Sequence, residues 1–156
     1  MMRKLYLAGV LATATFASAA LAGDTPFTPD AAATWSARSL LLAKVYDDAV
    51  AGTLSKRSFG VACDGITGEQ MKHEYGKEPR WALGAQAYVC IAYDGYAGKF
   101  RGSKFPCRDL KRGREELANA AQPGTPQDVA DAAATLTRTI DAILEATEGG
   151  KKGCKL

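Results

Sequence analysis

Apolar residues in this chain recur every three to four positions over long stretches, and glycine and proline cluster between them. From Thr28, the segment TPDAAATWSARSLLLAKVYDDAV sets Trp35, Leu42, Val45, Tyr46 and Ala49 at helical spacing. It predicts a helix with Thr28 as N-cap, Pro29 at the first helical position and Asp30 in the first turn. Four glycines then punctuate AGTLSKRSFGVACDGITG, which reads as a loop with one short extended piece at Ser58 to Cys63. Thr67 and Gln70 make a capping box for a short helix EQMKHEY. Pro79 opens a further helix that runs to about Ala97. Here Trp81, Ala85, Tyr88, Val89, Ala92 and Tyr96 fall on one continuous face and predict a core stripe, with Cys90 off its centre. Gly98 and Gly102 end that helix, and GKFRGSKFP reads as a loop in which Pro106 holds the chain extended into Cys107. A helix follows from Asp109 to Ala121 and stops at QPGTP. Thr125 caps the last one, with Pro126 at its first position, Asp128 in its first turn, and Val129, Leu136, Ile140, Ile143 and Leu144 facing inward. That helix ends at Gly149-Gly150, and the tail KKGCKL is held only if Cys154 pins it.

No segment alternates at period two for long enough to build a sheet, and no repeat or heptad run is present. The expected fold is all-α: one small bundle of four to five helices, stapled by two disulfides, with α+β as the alternative.

The first 22 residues change the picture of compartment. Arg3 and Lys4 form a basic start, Leu5 to Phe16 a short apolar run, and Ala20-Leu21-Ala22 an A-x-A cleavage pattern before Gly23. This is the pattern of a bacterial secretory signal peptide. The apolar run is shorter than the roughly 20 residues a membrane-spanning helix needs, and no later stretch is long enough, so no stable membrane insertion is expected. Cleavage near Ala22 leaves one domain, 23–156, in the periplasm or outside the cell. The leader holds two of the 20 Lys and Arg and none of the 17 Asp and Glu, so its removal lowers the net charge from +3 to +1. A nucleic-acid binder would need a strong positive excess, and none is expected here.

Compartment in turn decides what cysteine means. Cys63, Cys90, Cys107 and Cys154 all lie in the mature region, an even count that reads as two disulfides in an exported chain. Their intervals of 27, 17 and 47 residues give no C-x-x-C pair and no C-x-x-C-H, the spacings that zinc, thiol exchange or haem would require. Four cysteines allow three pairings, all open at this level. Cys63 with Cys90 and Cys107 with Cys154 is the preferred set, because each bond then ties a loop or tail to a neighbouring helix.

Catalytic chemistry finds no signature. His73 is the only histidine, and it stands beside Met71 and Glu74 with no second histidine and no suitably spaced cysteine or carboxylate. It reads as a surface or cap residue before it reads as a haem ligand, metal ligand or general base. The pairs Asp47-Asp48, Glu115-Glu116 and Asp141-Glu145 invite comparison with a glycosidase dyad, but helix surfaces carry such pairs routinely. RGSK and AYDGYAG match neither a nucleophile elbow nor a phosphate-cradling loop. A non-enzymatic protein without metal or cofactor is expected.

What stands out is local charge. Lys99, Arg101, Lys104, Arg108, Lys111, Arg112 and Arg114 crowd one stretch, whereas Asp128 to Glu148 carries five acids and one Arg. The ordinary reading is a solvated loop and helix face. The functional reading is a docking surface for a protein partner. In it Lys99, Arg101, Lys104, Arg108, Lys111 and Arg112 steer the encounter, and Phe100 and Phe105 supply apolar anchors on a disulfide-held loop.

A signal peptide, the stretch CIAYDGYAG, then FPC, a helical stretch and a terminal cysteine together resemble the periplasmic immunity proteins that protect bacteria from type VI secretion amidase effectors. Cys90, Tyr93, Gly95, Pro106, Cys107 and Cys154 carry the likeness, which spans roughly residues 85 to 156. The resemblance implies a small helical disulfide-bonded inhibitor that occludes the active site of a secreted hydrolase. The alternatives are a small periplasmic helical chaperone or stress protein, or an exported enzyme of unrecognised family.

Overall fold

The described chain is built from helices, as the apolar spacing predicts. The computed structural model describes residues 25–51, 63, 66, 77–96 and 106–148. Among them α1 spans Pro29–Val50, α2 Arg80–Tyr96, α3 Pro106–Leu117 and α4 Gln127–Glu148, with a 3₁₀ turn Ala118–Ala121 after α3. No strand occurs among the described residues. The predicted leader and its cleavage site lie outside them. So do the stretch from Ser58 to Ala62, the capping box at Thr67 and Gln70 with its short helix, and the tail from Gly149.

At the start of α1 the Thr28 hydroxyl accepts a bond from the Ala31 N–H at 3.3 Å. The Thr28 carbonyl accepts the first helical bond from Ala32 at 2.9 Å. Pro29, with no N–H to satisfy, takes the position between. Just ahead of the cap, Phe27 folds back onto Trp35 and Trp81. The three rings meet edge to face at centroid distances of 6.1, 5.9 and 5.6 Å, an arrangement that sets ring edges against ring faces. Trp35, Leu42, Val45 and Tyr46 are buried as predicted, and so are Val129, Leu136, Ile140, Ile143 and Leu144 from α4.

Buried polar groups set how the helices lie. Trp35 Nε1 donates to the Ala82 carbonyl at 2.8 Å, and Tyr46 OH donates to the Val89 carbonyl at 2.7 Å. In the reverse direction the Gln86 amide donates to the Trp35 carbonyl at 2.9 Å and to Ser39 Oγ at 2.7 Å, while its own oxygen accepts from Arg38 at 3.3 Å. Partners rise together along both chains, so α1 and α2 run in the same sense. α4 also runs parallel to α1: the Ser36 hydroxyl reaches the Asp128 carboxylate at 3.2 Å, and Thr139 donates to Asp47 at 3.3 Å, each across 92 residues of sequence. α3 runs the other way against α2. A Cβ on its Gly113 would stand 3.2 Å from Val89 Cγ2 and 3.3 Å from the Ala85 carbonyl oxygen, and one on Gly84 would meet the Glu116 side chain at 3.4 Å.

Three details differ from the sequence reading. Pro106 is the first residue of α3 rather than an extended lead into Cys107, so the helix starts three residues before Asp109, and its last turn tightens to 3₁₀ at Ala118–Ala121. The reason is the one that applies at Pro29: a proline fixes the helical φ and has no donor to lose in the first turn. Cys63 is helical, not the end of an extended piece. Pro126 contributes its carbonyl to Ala130 at 3.0 Å and so sits one place before α4, which begins at Gln127. The turn ahead of it is made by Gly124 at φ 91°, a left-handed conformation that costs glycine little.

Of the staples, Cys63 and Cys90 form a disulfide with Cα atoms 5.7 Å apart. Cys107 is not a free thiol. Its expected partner Cys154 lies outside the described residues.

Two measurements check this packing. Gly84→Ala should raise stability by about 0.5–1 kcal/mol, since the new methyl meets only a flexible side chain. Gly113→Leu should lower it by about 1–3 kcal/mol, because it drives α3 off the α2 backbone. Urea denaturation followed by circular dichroism reads both, and shifts of the same sign would refute the close approach at Gly113. Gln86→Leu, which removes three hydrogen bonds from a buried site, should cost about 1–3 kcal/mol in the same assay.

Candidate functional site

Of the residues in the predicted docking surface, Lys99, Phe100, Arg101, Lys104 and Phe105 lie outside the described residues, as does His73. Arg108, Lys111 and Arg112 are described, and α3 brings them together. The helix buries Asp109, Leu110, Gly113 and Leu117. That leaves positions 108, 111, 112 and 115 on the opposite side at i, i+3, i+4 and i+7. All four are exposed, so three cations and Glu115 share one solvent face.

Each cation has its own setting. Arg108 Nε lies 3.5 Å from the carboxylate of buried Asp109, an acid in the first turn of α3, where it also complements the helix N-terminus. Arg112 places its guanidinium carbon 5.8 Å from the centroid of the Tyr88 ring, a cation–π geometry. Tyr88 is therefore not part of the core stripe expected for it. It stands half-buried at the edge where α2 meets α3, because a full ring has no room beside Gly113, whose approach brings the Tyr88 Cβ to 3.5 Å from the space a methyl would fill. Lys111 looks toward α4 and lines a shallow groove with Arg114, Glu115, Asp141, Leu144 and Glu145.

Arg114 belongs to the same run of charge in sequence but not to the same face. Its Nε pairs with Asp141 Oδ1, and Nη2 donates to Asp141 Oδ2 at 3.3 Å, a two-point bridge from α3 to α4. Both side chains are about half exposed, so the bridge fixes geometry more than it adds stability. Three acids of the α4 stretch are likewise engaged locally. Asp128 accepts from Ser36, Asp131 from Gln127 at 2.9 Å, and Asp141 from Arg114. Of the other acids, Asp48 pairs with Lys44 at 2.7 Å and Asp47 accepts from Thr139. Among the described residues, the basic stretch presents one cationic face on α3.

Comparison with family models, with curated proteins and with solved structures finds no match to this chain. The chemistry has to be read from the arrangement itself. Three long cationic side chains exposed on one face of a short helix can attract and orient anions, and the half-buried Tyr88 and 43% exposed Ile91 on the neighbouring helix give that face an apolar border.

Residues that sequence reasoning passed over include Gln86, Ser36 and Ser39, all buried polar groups on apolar helix faces. The signal was present as a polar residue inside an apolar stripe. Its meaning depends on which backbone groups of a distant helix it meets.

The staple next to this region is testable directly. Replacing Cys63 and Cys90 with serine opens a loop of 27 residues and should lower stability by about 3–4 kcal/mol on the chain-entropy estimate, with helical content largely retained. Thermal melts with and without reductant, followed by circular dichroism, check this. Coincident curves would contradict it.

Proposed function

We propose that this chain is an exported, periplasmic binding protein of the immunity type, which docks on a secreted hydrolase and blocks it, and that it performs no catalysis of its own. The observation that carries the reading is the clustering of Arg108, Lys111 and Arg112 on one exposed face of a helix. The leader-like start and the Cys63–Cys90 bond agree with an oxidising compartment. Among the described residues no helix is long and apolar enough to cross a membrane. In this reading Cys107 pairs with Cys154, and the loop that carries Lys99, Phe100, Arg101, Lys104 and Phe105 continues the contact surface begun on α3. Likeness to the amidase immunity proteins makes a peptidoglycan amidase effector the first partner to try.

Its mechanism is occlusion. Cations steer the encounter and set its salt dependence, and apolar anchors set how long the complex lasts. A carrier helix that is already folded and packed on two sides loses little freedom on association.

The test is a secreted peptidoglycan amidase assayed with and without the mature chain, with binding rates measured in parallel by surface plasmon resonance. Inhibition near one-to-one stoichiometry is expected. Arg108→Glu with Lys111→Glu should slow association by about tenfold or more at low salt and flatten its ionic-strength dependence. Phe105→Ala should mainly speed dissociation. Unchanged hydrolysis across a panel of such amidases, or rates indifferent to the charge reversals, would overturn the proposal.

A further inference from the structure

We infer that the basic face of α3 and the adjoining edge of α2 form one composite docking surface, and that it accepts an acidic segment of a partner protein that also carries an apolar side chain. The inference rests on the binding reading above and specifies the chemistry of that partner. Arg112 carries it. Its guanidinium lies over Tyr88, and none of the ion pairs among the described residues engages it. The ring orients the planar group, and its fork of N–H donors is left for an incoming carboxylate, which a guanidinium can hold through two parallel bonds.

The apolar half comes from α2. Three residues after Tyr88, on the same side of the helix, Ile91 is 43% exposed, and Ala87 beside it is half-buried. The antiparallel course of α2 and α3, with Gly84 against Glu116 and Gly113 against Ala85 and Val89, sets Arg108 level with the turn that carries Ile91. The surface thus reads Arg112 over Tyr88 at one end and, at the other, Arg108 at the height of Ile91. Two positive sites about one helical turn apart, bordering a small apolar strip, complement a segment with acids spaced along it and an aliphatic or aromatic side chain between them. A membrane is the poorer match. Interfacial helices bury a broad apolar face, and this surface offers one large exposed apolar side chain and includes Glu115.

The experiment uses the mature chain labelled with ¹⁵N and three probes: a capped (Glu-Leu)₃ peptide, a capped (Glu-Ser)₃ peptide, and phosphatidylglycerol vesicles. The (Glu-Leu)₃ peptide should shift amides within 84–92 and 106–115 and bind about tenfold more tightly than (Glu-Ser)₃. Arg112→Lys and Tyr88→Leu should each weaken it by about threefold or more at unchanged melting temperature. Ile91→Ser should remove the difference between the two peptides. Equal affinity for both peptides, shifts confined to other helices, or tighter binding to the vesicles than to (Glu-Leu)₃ would overturn the composite surface. Failure here is separable from failure of the inhibitor reading. If charge reversal at Arg108 and Lys111 weakens an amidase complex that Tyr88→Leu and Ile91→Ser leave intact, the basic face stands and the composite surface falls.

Discussion

The exchange of hydrogen bonds between α1 and α2 sets the register from which the other described helices are placed. Trp35 and Tyr46 each bury a ring and reach with the polar end into a carbonyl of α2, and Gln86 reaches back to the α1 backbone and Ser39. An indole N–H, a phenol and an amide cannot be buried without partners except at a cost of about 1–3 kcal/mol each. These partners lie at fixed heights, Ala82, Gln86 and Val89. A slide of α1 along α2 by one residue would strand them all. A greasy interface would tolerate that slide, so the polar groups supply register where apolar packing supplies attraction.

With α1 and α2 fixed in register, the other surfaces fall into place. α4 lies along α1, with Ser36–Asp128 and Asp47–Thr139 pinning its two ends. α3 can approach α2 because Gly113 carries no side chain there. It then bridges to α4 through Arg114 and Asp141. Packed on both flanks, α3 has one face left for solvent, and that is the face bearing Arg108, Lys111 and Arg112. The proposed site is a by-product of how two helices, α2 and α4, use up the other sides of α3.

This explains why neighbouring charges in one run have different fates. Arg112 and Arg114 are two residues apart, which on a helix means opposite flanks. One lies over Tyr88 of α2, and the other is held by Asp141 of α4. Only the first remains free of a carboxylate among the described residues. A count of positive charge along the sequence treats them alike. Tyr88 shows the same effect among apolar residues: periodicity puts it on the core stripe, but the close passage of α3 at Gly113 moves the ring to the boundary, where it serves as a platform for a cation.

Four helices and much of their buried faces are legible in the order of residues alone. That information is local: Thr28 and Pro29 cap and open α1, glycines and prolines separate the segments, and Trp35, Leu42, Val129, Leu136 and Ile140 repeat with the period of a helix. It also held the Cys63–Cys90 pairing as the favoured of three. Tertiary structure alone decided that α1, α2 and α4 run in one direction, that Gln86 belongs inside, that Pro106 opens α3, and that three of its cations share a face while Arg114 leaves it. Those outcomes depend on which distant backbone group or side chain each residue meets. Spacing along one chain carries no record of such meetings, because hydrogen bonds, ion pairs and steric limits act between positions tens of residues apart.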